Sequence, residues 1–217
     1  MTTVWFIRHG ESISNANLPT KHPELSELTA KGHEEAQQIA RAFREKPDLI
    51  VVSPYVRAKQ TAVPTITHFS PISVAEWPVF EFTYLHPERY NGTRGIERGP
   101  VARAYWERND PFEKEMGKGE SFAELMARVR ALIDRLHQHP AQFIAVFSHG
   151  LFLRALVWML LTGLREPSQD SMRRYSQFLQ SVYMPNGAII KTTFTGNAPI
   201  SLTGFDTKHM DERQDIS

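Results

Sequence analysis

Hydrophobic positions in this chain follow two rhythms that take turns. Short apolar runs, VWFI at Val4–Ile7, LIVV at Leu49–Val52 and FIAVF at Phe143–Phe147, do not alternate with polar residues, which is the pattern of strands buried on both faces of a sheet. Between them, apolar residues recur every three or four positions. Ala36, Ile39, Ala40 and Phe43 share one face of a helix with Thr29 placed to cap it, and a second helix begins at Val56. Ser121 and Glu124 form a capping box, followed by the stripe Leu125, Val129, Leu132, Ile133 and Leu136. Leu151–Leu161 is a nearly all-apolar helix, and Ser168–Leu179 fits another. Ser73–Glu76, Ala188–Phe194 and Ile200–Phe205 read as further strands. The polar tail from Asp206 is expected to fray.

Strands alternating with helices predict one α/β domain over residues 1–217, a three-layer α/β/α sandwich around a largely parallel sheet. Pro78 to Glu120 breaks the rhythm. It is rich in proline, glycine, aromatic and charged residues, and predicts an inserted cap with one short helix near Val101–Arg108. Phe143 to Leu161 is long enough to consider as a membrane span, but Ser148, His149 and Arg154 would then lie in hydrocarbon at a cost of roughly several kcal/mol. Strand, turn and buried helix avoid that cost. With no basic-then-apolar leader before Val4, the expectation is a cytoplasmic protein without a membrane partner.

Charge narrows the possible partners. Lys plus Arg number 25 against 24 Asp plus Glu, so nothing points to nucleic acid or an anionic lipid surface. Cysteine is absent, which excludes disulfides, a thiol nucleophile and thiolate metal sites.

The candidate chemistry collects where apolar runs end, and ligands of open α/β sheets bind beyond the carboxyl ends of the strands. VWFI runs into Arg8-His9-Gly10, LIVV into Ser53-Pro54 with Arg57 one helical turn on, and FIAVF into Ser148-His149-Gly150; WPVFEF supplies Glu81. Two arginines fork onto phosphate oxygens. A neutral histidine can carry a phosphoryl group covalently, and a second one, protonated, would stabilise charge on the equatorial oxygens. A helix starting at Gly150 adds backbone N–H donors, and a carboxylic acid can protonate the leaving oxygen. Together these residue types predict a phosphoryl-transfer pocket.

RHGES, then SPYVRAKQTA, then a glutamate before the cap, then SHG, in that order, resembles the histidine phosphatase superfamily, specifically its phosphoglycerate-mutase-like branch. The resemblance implies His9 as the phosphorylated nucleophile, Arg8, Arg57 and His149 as phosphoryl-binding groups, Glu81 as proton donor, and Asn15 as a phosphate or substrate contact beside Gly150. It implies a small phosphorylated substrate and neither a metal nor another cofactor. Glu76 and Glu88 flank Glu81 as alternative carboxylates, and Asn15 also suits a plain turn. Glu11 is expected to be structural, bonded to nearby backbone. Arg89, Arg94, Arg98 and Arg103 are expected to pair with Glu88, Glu97 and Glu107, with one or two reading a second acidic group. His22, His33, His68, His137 and His139 lack ligand spacing and are expected at the surface.

Three activities fit these residues: a metal-independent phosphatase, a cofactor-dependent phosphoglycerate mutase, and a phospho-ligand or partner-binding module without turnover. Mutases resemble E-R-H-Y-G after the acid, whereas here Glu81 is followed by Phe82-Thr83-Tyr84-Leu85, and ANLPTKHPELSELT lacks the mutase-like tryptophan segment. The phosphatase is favoured. No nucleophile or arginine is lost, which disfavours the binding module.

Overall fold

In the computed structural model, which describes residues 1–195 and 201–211, the strands are β1 (Thr2–Arg8), β2 (Leu49–Val52), β3 (Ser73–Glu76), β4 (Phe143–Ser148), β5 (Ile189–Phe194) and β6 (Ser201–Leu202). They form one sheet in the order β3-β2-β4-β1-β5-β6. β1, β4, β2 and β3 run parallel to their neighbours, while β5 and β6 are antiparallel additions at one edge. The non-alternating runs now have a cause. Phe6, Val51, Ile144 and Val146 face one core, and Ile7, Ile50, Val52 and Phe147 face the other, all of them buried.

The second of these cores is closed by α1 (Ala30–Ala42) and α2 (Val56–His68), the first by α4 (Phe122–Gln138), α5 (Gly150–Thr162) and α6 (Gln169–Ser181). The result is the expected three-layer sandwich. Thr29 Oγ1 accepts from Gly32 N at 3.1 Å, and Ser121 and Glu124 exchange the two bonds of their capping box. No helix among the described residues is long and apolar enough to cross a membrane. The stretch considered as a span is divided at Ser148–Gly150 into β4 and α5.

Two expectations need correction. The cap helix, α3 (Gly95–Arg108), starts six residues earlier than Val101. Pro100 lies inside this helix, and the carbonyl that it leaves without a donor belongs to Ile96, which is 73% exposed, so water can satisfy it. The tail does not fray at Asp206. Asp206 and Ile189 exchange backbone bonds of 2.9 and 3.0 Å, and α7 (Lys208–Asp211) follows. Met210 packs on Gly187 so closely that a Cβ there would lie 2.0 Å from its Cε. Ile200, expected to begin β6, and residues beyond 211 lie outside the described residues.

Register is what builds the functional rim. Arg8 pairs with Ser148 and Val52 with Phe147, so the loops leaving β1, β2 and β4 emerge side by side. The loop after β1 also touches α1 backbone to backbone. A Cβ on Gly32 would lie 2.0 Å from Glu11 O, and one on Gly10 would lie 2.5 Å from Gly32 O. Both positions therefore exclude any side chain.

Candidate active site

His9 leaves β1 with its backbone N–H bonded to Ser148 O at 3.0 Å, which sets its ring 5.0 Å from that of His149. Its Nδ1 lies 2.7 Å from Gly10 O, an atom that can only accept, so Nδ1 carries the proton. Nε2 therefore holds the lone pair, and it accepts from Arg57 Nε at 3.0 Å. Gly10 N in turn donates to Thr61 Oγ1 on α2, at 3.1 Å. Burial first, then the charges of Arg57 and Arg8, holds the His9 pKa well below its ordinary value. The imidazole is neutral and nucleophilic at neutral pH.

Arg57 is buried and its pKa is lowered to about 10 by that burial, which still leaves it charged. Its Nη1 donates to Pro23 O at 2.6 Å. Arg8 donates to Met184 O, and its Nε is buried without a partner. Gly150 leaves room for this side chain, since a Cβ there would lie 3.1 Å from Arg8 Nε. Arg57, buried, and Arg8, half-buried with its Nε enclosed, thus hydrogen-bond neutral acceptors only; the charge of Glu81 partly offsets theirs without a hydrogen bond, and a further anion would relieve the arrangement.

His149 Nε2 lies 2.7 Å from Ser53 Oγ. That hydroxyl also accepts from Tyr55 N, and among the described residues its own proton has no acceptor but Nε2, which places the His149 hydrogen on Nδ1. Nδ1 is buried and has no partner. Burial, followed by the charge of Arg57, depresses the His149 pKa well below its ordinary value. His149 is therefore neutral at neutral pH, where the protonated form is expected beside a phosphoryl group, and its Nδ1–H is the donor it offers.

Among the three candidate carboxylates, Glu81 is the one that reaches this cluster. Glu76 is exposed and ion-paired to Lys59 at 2.7 Å, and Glu88 is exposed near Lys118. Glu81 Oε1 accepts from Leu151 N at 3.0 Å, Phe152 N at 3.1 Å and Phe82 N at 3.0 Å. Part of the expected helix-start cradle is thus already occupied by a carboxylate rather than open to a phosphoryl group. Asn15 is turned into its own loop: Oδ1 accepts from Ser12 N at 3.2 Å and Ser12 Oγ at 2.9 Å. Glu11 is structural as expected, but its carboxylate bonds Thr29 Oγ1 and Lys31 Nζ rather than backbone. Its backbone N–H donates at 2.6 Å to Glu35, a buried α1 carboxylate whose pKa burial raises.

A cavity of about 190 Å³ adjoins the cluster through Arg57 and Glu81, and is also lined by Lys21, Tyr84, Tyr90 and Arg98. Arg98 bonds Thr93 and Thr20 rather than a cap glutamate, and Arg89 pairs with the buried Glu115 rather than Glu88. Among the described residues no cluster of His, Asp and Glu is arranged to hold a metal.

The sequence pattern of the histidine phosphatase superfamily (branch 1) matches residues 4–196. The chain belongs to that superfamily. Among relatives of this histidine phosphatase, a Yersinia enterocolitica protein named "Probable phosphoglycerate mutase GpmB" is 28% identical over 88% of this chain and 92% of its own. A Schizosaccharomyces pombe protein named a probable phosphatase is 30% identical over 76% of this chain and 58% of its own. The Entamoeba histolytica phosphoserine phosphatase, solved with 3-phosphoglyceric acid, shares the fold at a TM-score of 0.72 and 22% identity, covering 97% of this chain and 100% of that one.

Residues the sequence reading missed are Thr61, Glu35 and Arg128, while Ser53 is named there as a strand end without a role. Thr61 was within reach, since it lies in the RAKQTA motif. Arg128 also left a trace: a lone arginine three residues after Leu125 and four before Leu132, on an otherwise apolar stripe.

Proposed function

We propose that this histidine phosphatase hydrolyses small phosphomonoesters without a metal, through a phosphohistidine at His9. The observation that carries the proposal is the pair of arginines, Arg8 and Arg57, hydrogen-bonded to neutral groups alone beside the lone pair of His9 Nε2. The dianionic phosphoryl group takes the place of those neutral contacts, drawing the Arg57 Nε–H off His9. Arg8, Arg57, the His149 Nδ1–H and the Gly150 N–H bind its oxygens, and Asn15 adds its uncommitted amide from the loop. Nε2 then forms the N–P bond while the P–O bond to the leaving alcohol breaks, and the Glu81 carboxylic acid protonates the departing oxygen. In the second step Glu81 takes a proton from water as that water displaces His9 from phosphorus.

The cavity carries Lys21, Arg57 and Arg98 against the single carboxylate Glu81. After Arg57 has met the phosphoryl group, two cations remain. A leaving group bearing a carboxylate or second phosphate balances them, so we favour acidic monoesters. The mutase remains the second candidate because of the relative so named; Phe82–Leu85 and the loop after Asn15 weigh against it.

The deciding experiment is phosphate release from a panel of monoesters in EDTA, alongside mutase turnover of 3-phosphoglycerate with its bisphosphate primer, for wild type and His9→Ala. Hydrolysis that survives EDTA and disappears in the variant is expected. Efficient mutase turnover, or a strict need for a divalent ion, would overturn the proposal.

A further inference from the structure

The segment that carries Glu81 belongs to no strand or helix, so no ladder holds it. Residues 77–84 leave the edge of β3 as irregular chain. Instead, its carbonyls are claimed one after another by side chains and by backbone donors. Arg128 Nη1, from α4, donates to Pro78 O at 2.9 Å and to Phe80 O at 3.0 Å. Ser148 Oγ donates to Val79 O at 2.6 Å, and Glu120 N donates to Thr83 O at 2.8 Å.

Arg128 is the hub. Its Nε and Nη2 fork onto both oxygens of Glu120, at 2.6 and 2.8 Å, and both side chains are nearly buried, at 14% and 11% exposure. Its guanidinium lies 3.7 Å over the Phe80 ring and 4.8 Å from that of Phe152. Phe80 precedes Glu81 in the chain, and Phe152 supplies one of the N–H groups that Glu81 accepts. One planar cation therefore touches both sides of the carboxylate's setting: the segment bearing it and the helix start that receives it.

Resting on the assignment of Glu81 as proton donor, we propose that Arg128, held flat by Glu120, is a positioning residue that aims the Glu81 carboxyl at the leaving oxygen. Lysine keeps the charge but can neither fork onto Glu120 while reaching two carbonyls nor lie flat between two rings. A misaimed acid slows only those reactions that need a proton.

The test is therefore leaving-group dependence. An alkyl phosphate releases an alkoxide that must be protonated, whereas p-nitrophenyl phosphate releases a phenolate that needs little help. Glu81→Gln sets the reference, because a general acid contributes roughly 10²- to 10⁴-fold. It should lose far more kcat/KM on the alkyl ester than on the aryl ester. Arg128→Lys and Glu120→Gln should show the same imbalance, with at least a roughly tenfold greater loss on the alkyl ester. Both esters are assayed on one preparation, so the ratio is unaffected by any fraction of a variant that fails to fold. Equal losses on the two esters in Arg128→Lys and Glu120→Gln, with Glu81→Gln still imbalanced, would overturn the positioning role alone. Equal losses in Glu81→Gln would overturn the proton-donor assignment and this inference with it.

Discussion

Lowering the pH should destabilise this protein through the two histidines at its centre. His9 and His149 are both held neutral by burial and by neighbouring arginines, with pKa values well below the ordinary 6.5. The unfolded chain takes up a proton at each as pH falls through that value, while the folded chain does not. The unfolded state then binds more protons, so stability falls with pH. Between pH 7.0 and 5.5 each histidine contributes up to about 1 kcal/mol, giving roughly 2 kcal/mol for the pair. Glu35 and Glu120 act in the opposite sense, since burial raises both and the folded state keeps their protons to higher pH. They titrate upward from the carboxylate range, which is why the comparison stops at pH 5.5. Urea unfolding at the two pH values reads the difference from the midpoints once the slopes are shown to agree. His149→Gln should remove about half of the pH dependence, whatever it does to absolute stability. A difference below about 1 kcal/mol in wild type, or an unchanged pH dependence in His149→Gln, would refute the neutral buried pair.

Two more substitutions test separate parts of the structure. Gly32→Ala forces a Cβ to within 2.0 Å of Glu11 O, a backbone atom that cannot swing away. It should cost about 1–3 kcal/mol in urea unfolding and lower kcat by shifting the His9 loop; a neutral effect on both would mean that the close approach of α1 and this loop is not needed. Arg98→Gln should reduce kcat/KM for an ester bearing a carboxylate roughly tenfold or more beyond its effect on a neutral ester of similar size. Equal effects would remove the second acidic group from the substrate assignment.

Much of this was legible because burial and charge are local signals. LIVV and FIAVF cannot alternate when both faces of the sheet are covered, and polar residues that end such runs mark where the sheet stops being core. Thr29 and Ser121 cap their helices, as their spacing suggests. Contacts made at long range were less legible. That Arg98 faces the cavity depends on Thr20 and Thr93 bridging the loop after β1 to the cap, a pairing no local pattern encodes. The resemblance already favours Glu81 over Glu76 and Glu88, but what receives its carboxylate is visible only once α5 is placed. A helix can run through Pro100 only because Ile96 is exposed, and Met210 anchors the tail only because Gly187 leaves room for it, and both depend on the folded surroundings.

The most direct test of the central claim is to trap the intermediate. Enzyme mixed with a phosphoryl-labelled monoester is quenched in alkali, where phosphohistidine survives, and the labelled peptide is mapped. We expect the label on His9, formed as fast as turnover requires and absent from His9→Ala. Turnover without any label, or label at another residue, would contradict a phosphohistidine mechanism at this site.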